Sequence, residues 1–119
     1  MKEEQQEPPQ RTRNKLEVYE TRRFGKALDK LHKEVLPRVE DEIDKIIAEP
    51  AMGEQKKGDL KHLRVHKFVI DEQLYLLGYS WVEDKLVLYL MTLGSHENFY
   101  DEQKKHRKKD LKDIEKLLK

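Results

Sequence analysis

Between positions 63 and 93 the chain carries three runs rich in Val, Leu, Tyr and Phe, at 63–70, 73–82 and 85–93, parted only by Asp71-Glu72 and Glu83-Asp84. Breaks this short leave room for hairpin turns and little else, so the runs predict an antiparallel meander. The second and third runs are apolar at both odd and even positions. Because side chains alternate along a strand, the sheet has two faces to cover. The rest of the chain must supply both covers or borrow one from a partner.

One cover is written upstream. Leu16, Val18 and Tyr19 alternate with polar residues and predict a short first strand. Thr21 is a suitable N-cap for a helix carrying Phe24, Ala27, Leu28 and Leu31 at helical spacing. A second helix follows, with Pro37 in its first turn and Val39, Ile43, Ile46 and Ile47 as one apolar stripe. Pro50 disfavours helical geometry at Glu49 and ends it. Together these make a helical hairpin with one face to bury. A last helix is expected from Glu97 or Asn98 to Leu118, with Phe99 as an early anchor and Leu111, Ile114, Leu117 and Leu118 as a late stripe. Its middle, 101–110, is almost wholly charged and reads as a segment exposed to solvent or laid along something acidic. The predicted class is α+β: an N-terminal helical hairpin packed on a three- to four-stranded antiparallel sheet, with a C-terminal helix. Residues 51–60 read as a loop.

At 119 residues the chain bounds one domain. Residues 1–14 are polar, contain Pro8-Pro9 and are expected to form a disordered arm, leaving 15–119 as the folded unit. The absence of cysteine removes disulfides, thiolate metal sites and cysteine nucleophiles. No run approaches a membrane span, and 1–14 has no apolar centre of the secretory kind, so a cytoplasmic protein is expected. The net charge of +1 hides a segregation of sign. Lys56, Lys57, Lys61, Arg64 and Lys67 make one basic block, and 103–119 holds eight Lys or Arg. Between them, 68–102 has seven acids and one Lys. Local fields, more than net charge, should select partners.

The most site-like stretch is Gly94-Ser95-His96-Glu97-Asn98-Phe99-Tyr100, at the junction of the last strand and the last helix. It gathers an imidazole, a carboxylate, an amide and a phenol where backbone meets solvent. Such groups can move protons and hold phosphate, and cutting a phosphodiester with them needs a base for the attacking hydroxyl, cations for the crowded phosphate and an acid for the departing oxygen. His96 is the candidate base or acid, Arg64 a bidentate phosphate clamp, and His66 a second proton carrier or clamp. Arg64 and His66 are two apart and share one face of their strand. Lys56, Lys57, Lys61 and Lys67 would hold a nucleic-acid backbone by charge. A metal site from His62, His66 and His96 lacks support from any short spacing.

The basic loop at Gly58-Asp59-Leu60, the strand Leu63-Arg64-Val65-His66-Lys67-Phe68, the run Tyr75-Leu76-Leu77-Gly78-Tyr79 and the ending Leu93-Gly94-Ser95-His96-Glu97-Asn98-Phe99-Tyr100 resemble, in this order, the RelE/ParE toxins of bacterial type II toxin–antitoxin systems. The resemblance is nearest to a ParE-like group and covers roughly 19–103. It implies a small toxin held inactive by a cognate antitoxin protein, without a cofactor. The RelE branch cuts mRNA on the ribosome without a metal; the ParE branch poisons DNA gyrase. Carried over, Arg64 and His66 fall on paired basic positions, and His96 on the basic or histidine position after the last-strand glycine. Tyr100, a further candidate catalytic residue, matches a family tyrosine approximately, at a different spacing. One position departs: many active RelE-type toxins have arginine just after the residue matching Tyr75, and this chain has Leu76. The resemblance thus implies a ribosome-dependent endoribonuclease that inhibits translation. Two alternatives stand beside it, a non-enzymatic gyrase inhibitor and an inactive antitoxin-binding homologue.

Overall fold

The computed structural model describes residues 16–95 and 97–118. The proposed arm at 1–14 and His96 lie outside them. Strand β1 (Glu17–Glu20) leads into helices α1 (Arg22–Asp29) and α2 (Leu36–Ala48). Strands β2 (Glu54–Gln55), β3 (Arg64–Ile70), β4 (Gln73–Val82) and β5 (Val87–Gly94) follow, and α3 (Phe99–Leu117) closes the chain.

The sheet is larger than the three- to four-stranded antiparallel one expected, and it is mixed. Its order is β1-β5-β4-β3-β2. The β3–β4–β5 meander is antiparallel as its sequence predicts. β1, however, pairs parallel to β5, Glu17 opposite Val87. The segment expected to be an unpaired loop supplies β2, with Glu54 opposite Val65 and Gln55 opposite Arg64. The short first strand forms where its alternation placed it, but its parallel partner is fixed by tertiary pairing, and the two-residue β2 carries too little period to be read.

The turns follow local chemistry. Asp71 and Glu72 both take positive φ, 52° and 68°, which suits a two-residue hairpin whose twist matches its strands. Thr21 caps α1: its Oγ1 accepts from Phe24 N at 3.0 Å and donates to Met91 O at 2.6 Å, so the cap also anchors α1 on β5. Pro37 sits in the first turn of α2, and the helix stops at Ala48.

Both faces of the sheet are covered. Phe68, Ile70, Leu77, Tyr79, Leu88 and Leu90 meet Phe24 of α1 and Val39 and Ile46 of α2. On the other face Val65, Leu76, Tyr89 and Met91 meet Phe99, with Ile114 and Leu117 packed against them. β5 serves both by alternation, Leu88 and Leu90 on one face and Tyr89 and Met91 on the other. A bulge follows, for Tyr79 pairs with Leu90 and Gly78 with Thr92, leaving Met91 as the extra residue. Gly78 makes the close approach of α3 possible. A Cβ there would stand 2.8 Å from Thr92 Cγ2 and 3.2 Å from Phe99 Cζ, so the Phe99 ring rests on bare backbone. The charged middle of α3 is not simply solvated. Gln103 and Asp110 point inward and are only 2% and 1% exposed. With Phe99, Ile114 and Leu117 they complete the inward stripe.

Candidate nucleic-acid interface

The two faces of β3 separate the predicted site residues. Arg64 and His66 share a face with Phe68 and Ile70, and it is the face that α2 covers. There Arg64 Nη1 donates to Ala51 O at 2.9 Å and Gly53 O at 2.8 Å, tying the 50–53 turn to the sheet. Its cross-strand neighbour Tyr79 completes that tie: the hydroxyl donates to Pro50 O at 2.7 Å and accepts from Gly53 N at 2.8 Å. Burial raises the Tyr79 pKa, which keeps the phenol neutral and able to donate. His66 Nε2 lies 2.8 Å from Glu42 Oε1 of α2, and its ring stacks on Phe68 with centroids 5.4 Å apart. Arg64 and His66 therefore face α2, and β4 stands between their strand and β5, which leads into the 94–100 junction. The pair shares a strand face, as its spacing requires, but that face is packed under a helix.

The junction belongs to the opposite face. Gly94 ends β5 opposite Leu76, and Leu76 pairs in turn with Lys67. Tyr100, in the first turn of α3, is half-buried and stands edge-on to Phe99 at 5.1 Å and 83°. Lys56 Nζ lies 5.0 Å from the centre of the Tyr100 ring, within reach of a cation–π attraction. The ammonium is also held 2.7 Å from Glu54 Oε1. That bond is the main cause of the raised Lys56 pKa; burial opposes it and Tyr100 adds to it. Glu54 in turn titrates low, through Lys56 first and also through the nearby charge of Lys67. Lys56, Lys67 and Tyr100 are thus gathered on the α3 side, beside the junction that carries His96.

Lys57 and Lys61 flank the turn Gly58–Leu60 and are exposed. Arg107 Nε of α3 donates to Asp59 O at 2.8 Å and fixes this turn against the helix. Lys61 lines a small cavity of about 180 Å3 with His62, Ser80 and Leu111. His62 titrates low, chiefly through burial, with Asp110 opposing the shift and Arg107 and Arg23 adding to it. Lys104 and Arg107 follow Tyr100 by one and two turns on the same stripe of α3. Reading 101–110 only as a charge run concealed this stripe; the i, i+4, i+7 spacing from Tyr100 was the available signal. Leu76, where an arginine was the RelE-type expectation, is fully buried beside Val65 and Phe99.

This architecture is similar to that of known toxins. The Escherichia coli RelBE toxin–antitoxin complex contains a chain matched with a TM-score of 0.56 at 18% identity, over 69% of this chain and 98% of that one. The isolated E. coli RelE toxin matches with a TM-score of 0.54 at 18% identity, over 76% and 97%. A mutant of E. coli RelE in complex with a peptide of the antitoxin RelB matches with a TM-score of 0.55 at 19% identity, over 73% and 92%. At such identity these likenesses define a shared RelE-like fold. No curated protein sequence matches the chain. The family model of ParE-like toxins of type II bacterial toxin–antitoxin systems matches residues 18–104, and the chain belongs to that family. No helix of the described residues is long and apolar enough to cross a membrane.

Proposed function

We propose that this toxin acts on RNA through the α3 side of its sheet, as a metal-free endoribonuclease directed at mRNA on the ribosome, and that a cognate antitoxin holds it inactive. The observation that carries the reading is the placement of the Lys56 ammonium over the Tyr100 ring at the sheet–helix junction. A fixed cation and a phenol side by side suit a phosphate in the course of transfer. In the reaction the 2′-hydroxyl loses its proton and its oxygen attacks the adjacent phosphorus. The bond to the 5′ oxygen breaks, that oxygen takes a proton, and a cyclic phosphate remains. His96 and Tyr100 carry the protons in this proposal, and Lys56 and Lys67 compensate the phosphate charge. Lys57, Lys61 and Arg107 extend the cationic track along the backbone. Arg64 and His66 act from the far face as supports of the 50–53 turn and of α2.

The buried Leu76 favours a second reading. A site without the expected arginine fits a toxin that blocks DNA gyrase by binding alone. Induction of the protein in growing bacteria, followed by mapping of mRNA 5′ ends against ribosome positions, separates the two. Codon-linked cuts within minutes support the nuclease. Intact mRNA with filamentation and an SOS response would replace it with the gyrase reading. Co-expression with the adjacent small reading frame tests the antitoxin: rescue of growth and a co-purifying complex are expected.

A further inference from the structure

A second cationic site lies on the other flank of α3, where it meets the start of α1. A cavity of about 320 Å3 opens there, lined by Arg22, Arg23 and Lys26 of α1, His106 and Lys109 of α3, and Tyr89 of β5. Two carboxylates, Glu20 and Asp113, also border it. The lining thus brings four Lys or Arg side chains together with two carboxylates, an excess of positive charge gathered from segments some eighty positions apart.

The pairing inside the site shows which cations are left over. Arg23 is spent on Asp110, at 3.0 and 2.8 Å, and on Gln103 Oε1 at 3.1 Å. Lys109 is spent on Asp113 at 3.0 Å. The Tyr89 hydroxyl leans on the same carboxylate at 3.3 Å. Burial first, and Asp113 next, push that phenol up to about 12, so it stays a neutral donor. Glu20 turns toward α1, its Oε2 within 2.8 Å of the place a Cβ would take on Gly25. The side chains of Arg22, Lys26 and His106 make no hydrogen bond or ion pair among the described residues. Three cationic or protonatable side chains, lining one cavity beside ion pairs that are already neutralised, make a receptor for an oxyanion.

We infer that this α1–α3 cavity binds a phosphate group, separately from the Lys56–Tyr100 face and whether or not that face cuts RNA. The phosphate is either that of a nucleic-acid backbone or a free phosphate or pyrophosphate. Calorimetric titration of the full chain with inorganic pyrophosphate, and anisotropy with a 2′-O-methylated single-stranded RNA, distinguish the sources at low salt. The Arg22→Ala/Lys26→Ala double variant removes two side chains that brace nothing else and should melt with the wild type. Its affinity should fall by about tenfold for the ligand the cavity takes, while Lys56→Ala leaves pyrophosphate binding unchanged. Loss confined to pyrophosphate assigns a small phosphate ligand; loss of RNA affinity assigns the nucleic-acid backbone. Unchanged affinity of the double variant for both probes, or no binding of either by the wild type, overturns the inference. So does a loss of pyrophosphate binding in Lys56→Ala equal to that in the double variant.

Discussion

Arg23 of α1 and Asp110 of α3, 87 positions apart, close on each other through two hydrogen bonds of 3.0 and 2.8 Å. The Asp110 side chain is 1% exposed and that of Arg23 24%. A carboxylate buried this far persists because the guanidinium meets it two-pronged, and Gln103 fixes the guanidinium from the other side. Asp110→Ala would leave the arginine facing a gap. The expected loss is about 3 kcal/mol, since Arg23 can recover some water on its open side. Chemical denaturation of wild type and variant measures it; a change below about 0.5 kcal/mol would deny the pair its structural role.

Tyr79→Phe removes one hydroxyl and two bonds, those to Pro50 O and from Gly53 N. Tyr79 is fully buried, so these backbone groups have no ready replacement. A loss of about 2 kcal/mol is expected, with faster amide exchange at Gly53. Exchange that stays as slow as in the wild type would show that Arg64 alone holds the turn.

Arg64→Ala and Lys56→Ala should fail differently. Arg64 bonds Ala51 O and Gly53 O, and its loss should lower the melting temperature while toxicity per folded molecule persists. Lys56 stands over Tyr100, and its loss should relieve toxicity with little change in melting. Growth inhibition measured beside thermal melts of both variants decides the matter. The reverse pattern would return Arg64 to the site.

His96→Ala is expected to abolish toxicity and leave antitoxin capture intact. Pull-down with the antitoxin beside a growth assay checks both halves, and a fully toxic variant would remove His96 from the chemistry.

Glu42 predicts a pH dependence. Burial pushes its carboxyl up, but bonds from Lys45 and His66 outweigh burial and bring it below the ordinary 4.5. A carboxyl lowered on folding adds stability above its unfolded pKa and loses it as the pH falls through the folded value. Glu42→Gln should therefore be less stable than wild type above pH 4.5, and the gap should close as the pH falls below it. Denaturation across this range tests the sign; a gap that widens on acidification would contradict the pairing.

How much of this was legible before the structure depends on how far each signal reaches. The meander, the Thr21 cap, the Pro37 start and the Pro50 stop are local, and each formed where the residues placed it. β1 and β2 depend on partners far along the chain, so neither the parallel pairing with β5 nor the strand at Glu54–Gln55 could be read. The alternation of β3 told that Arg64 and His66 share a face. It could not tell which face, because β4, its long neighbour in the sheet, is apolar on both sides. Gln103 and Asp110 stayed hidden because a polar residue announces a buried role only once its partner is known, and Arg23 lies in another helix.

The alternation of β3 also bears on how such toxins diverge. Its even positions brace the scaffold beneath α2, while its odd positions and the loop beside them lie toward α3 and the outside world. Replacing an outward residue such as Lys67 leaves every brace in place. The outer side of this strand can therefore change its side chains while the packing under the second helix stays as it is.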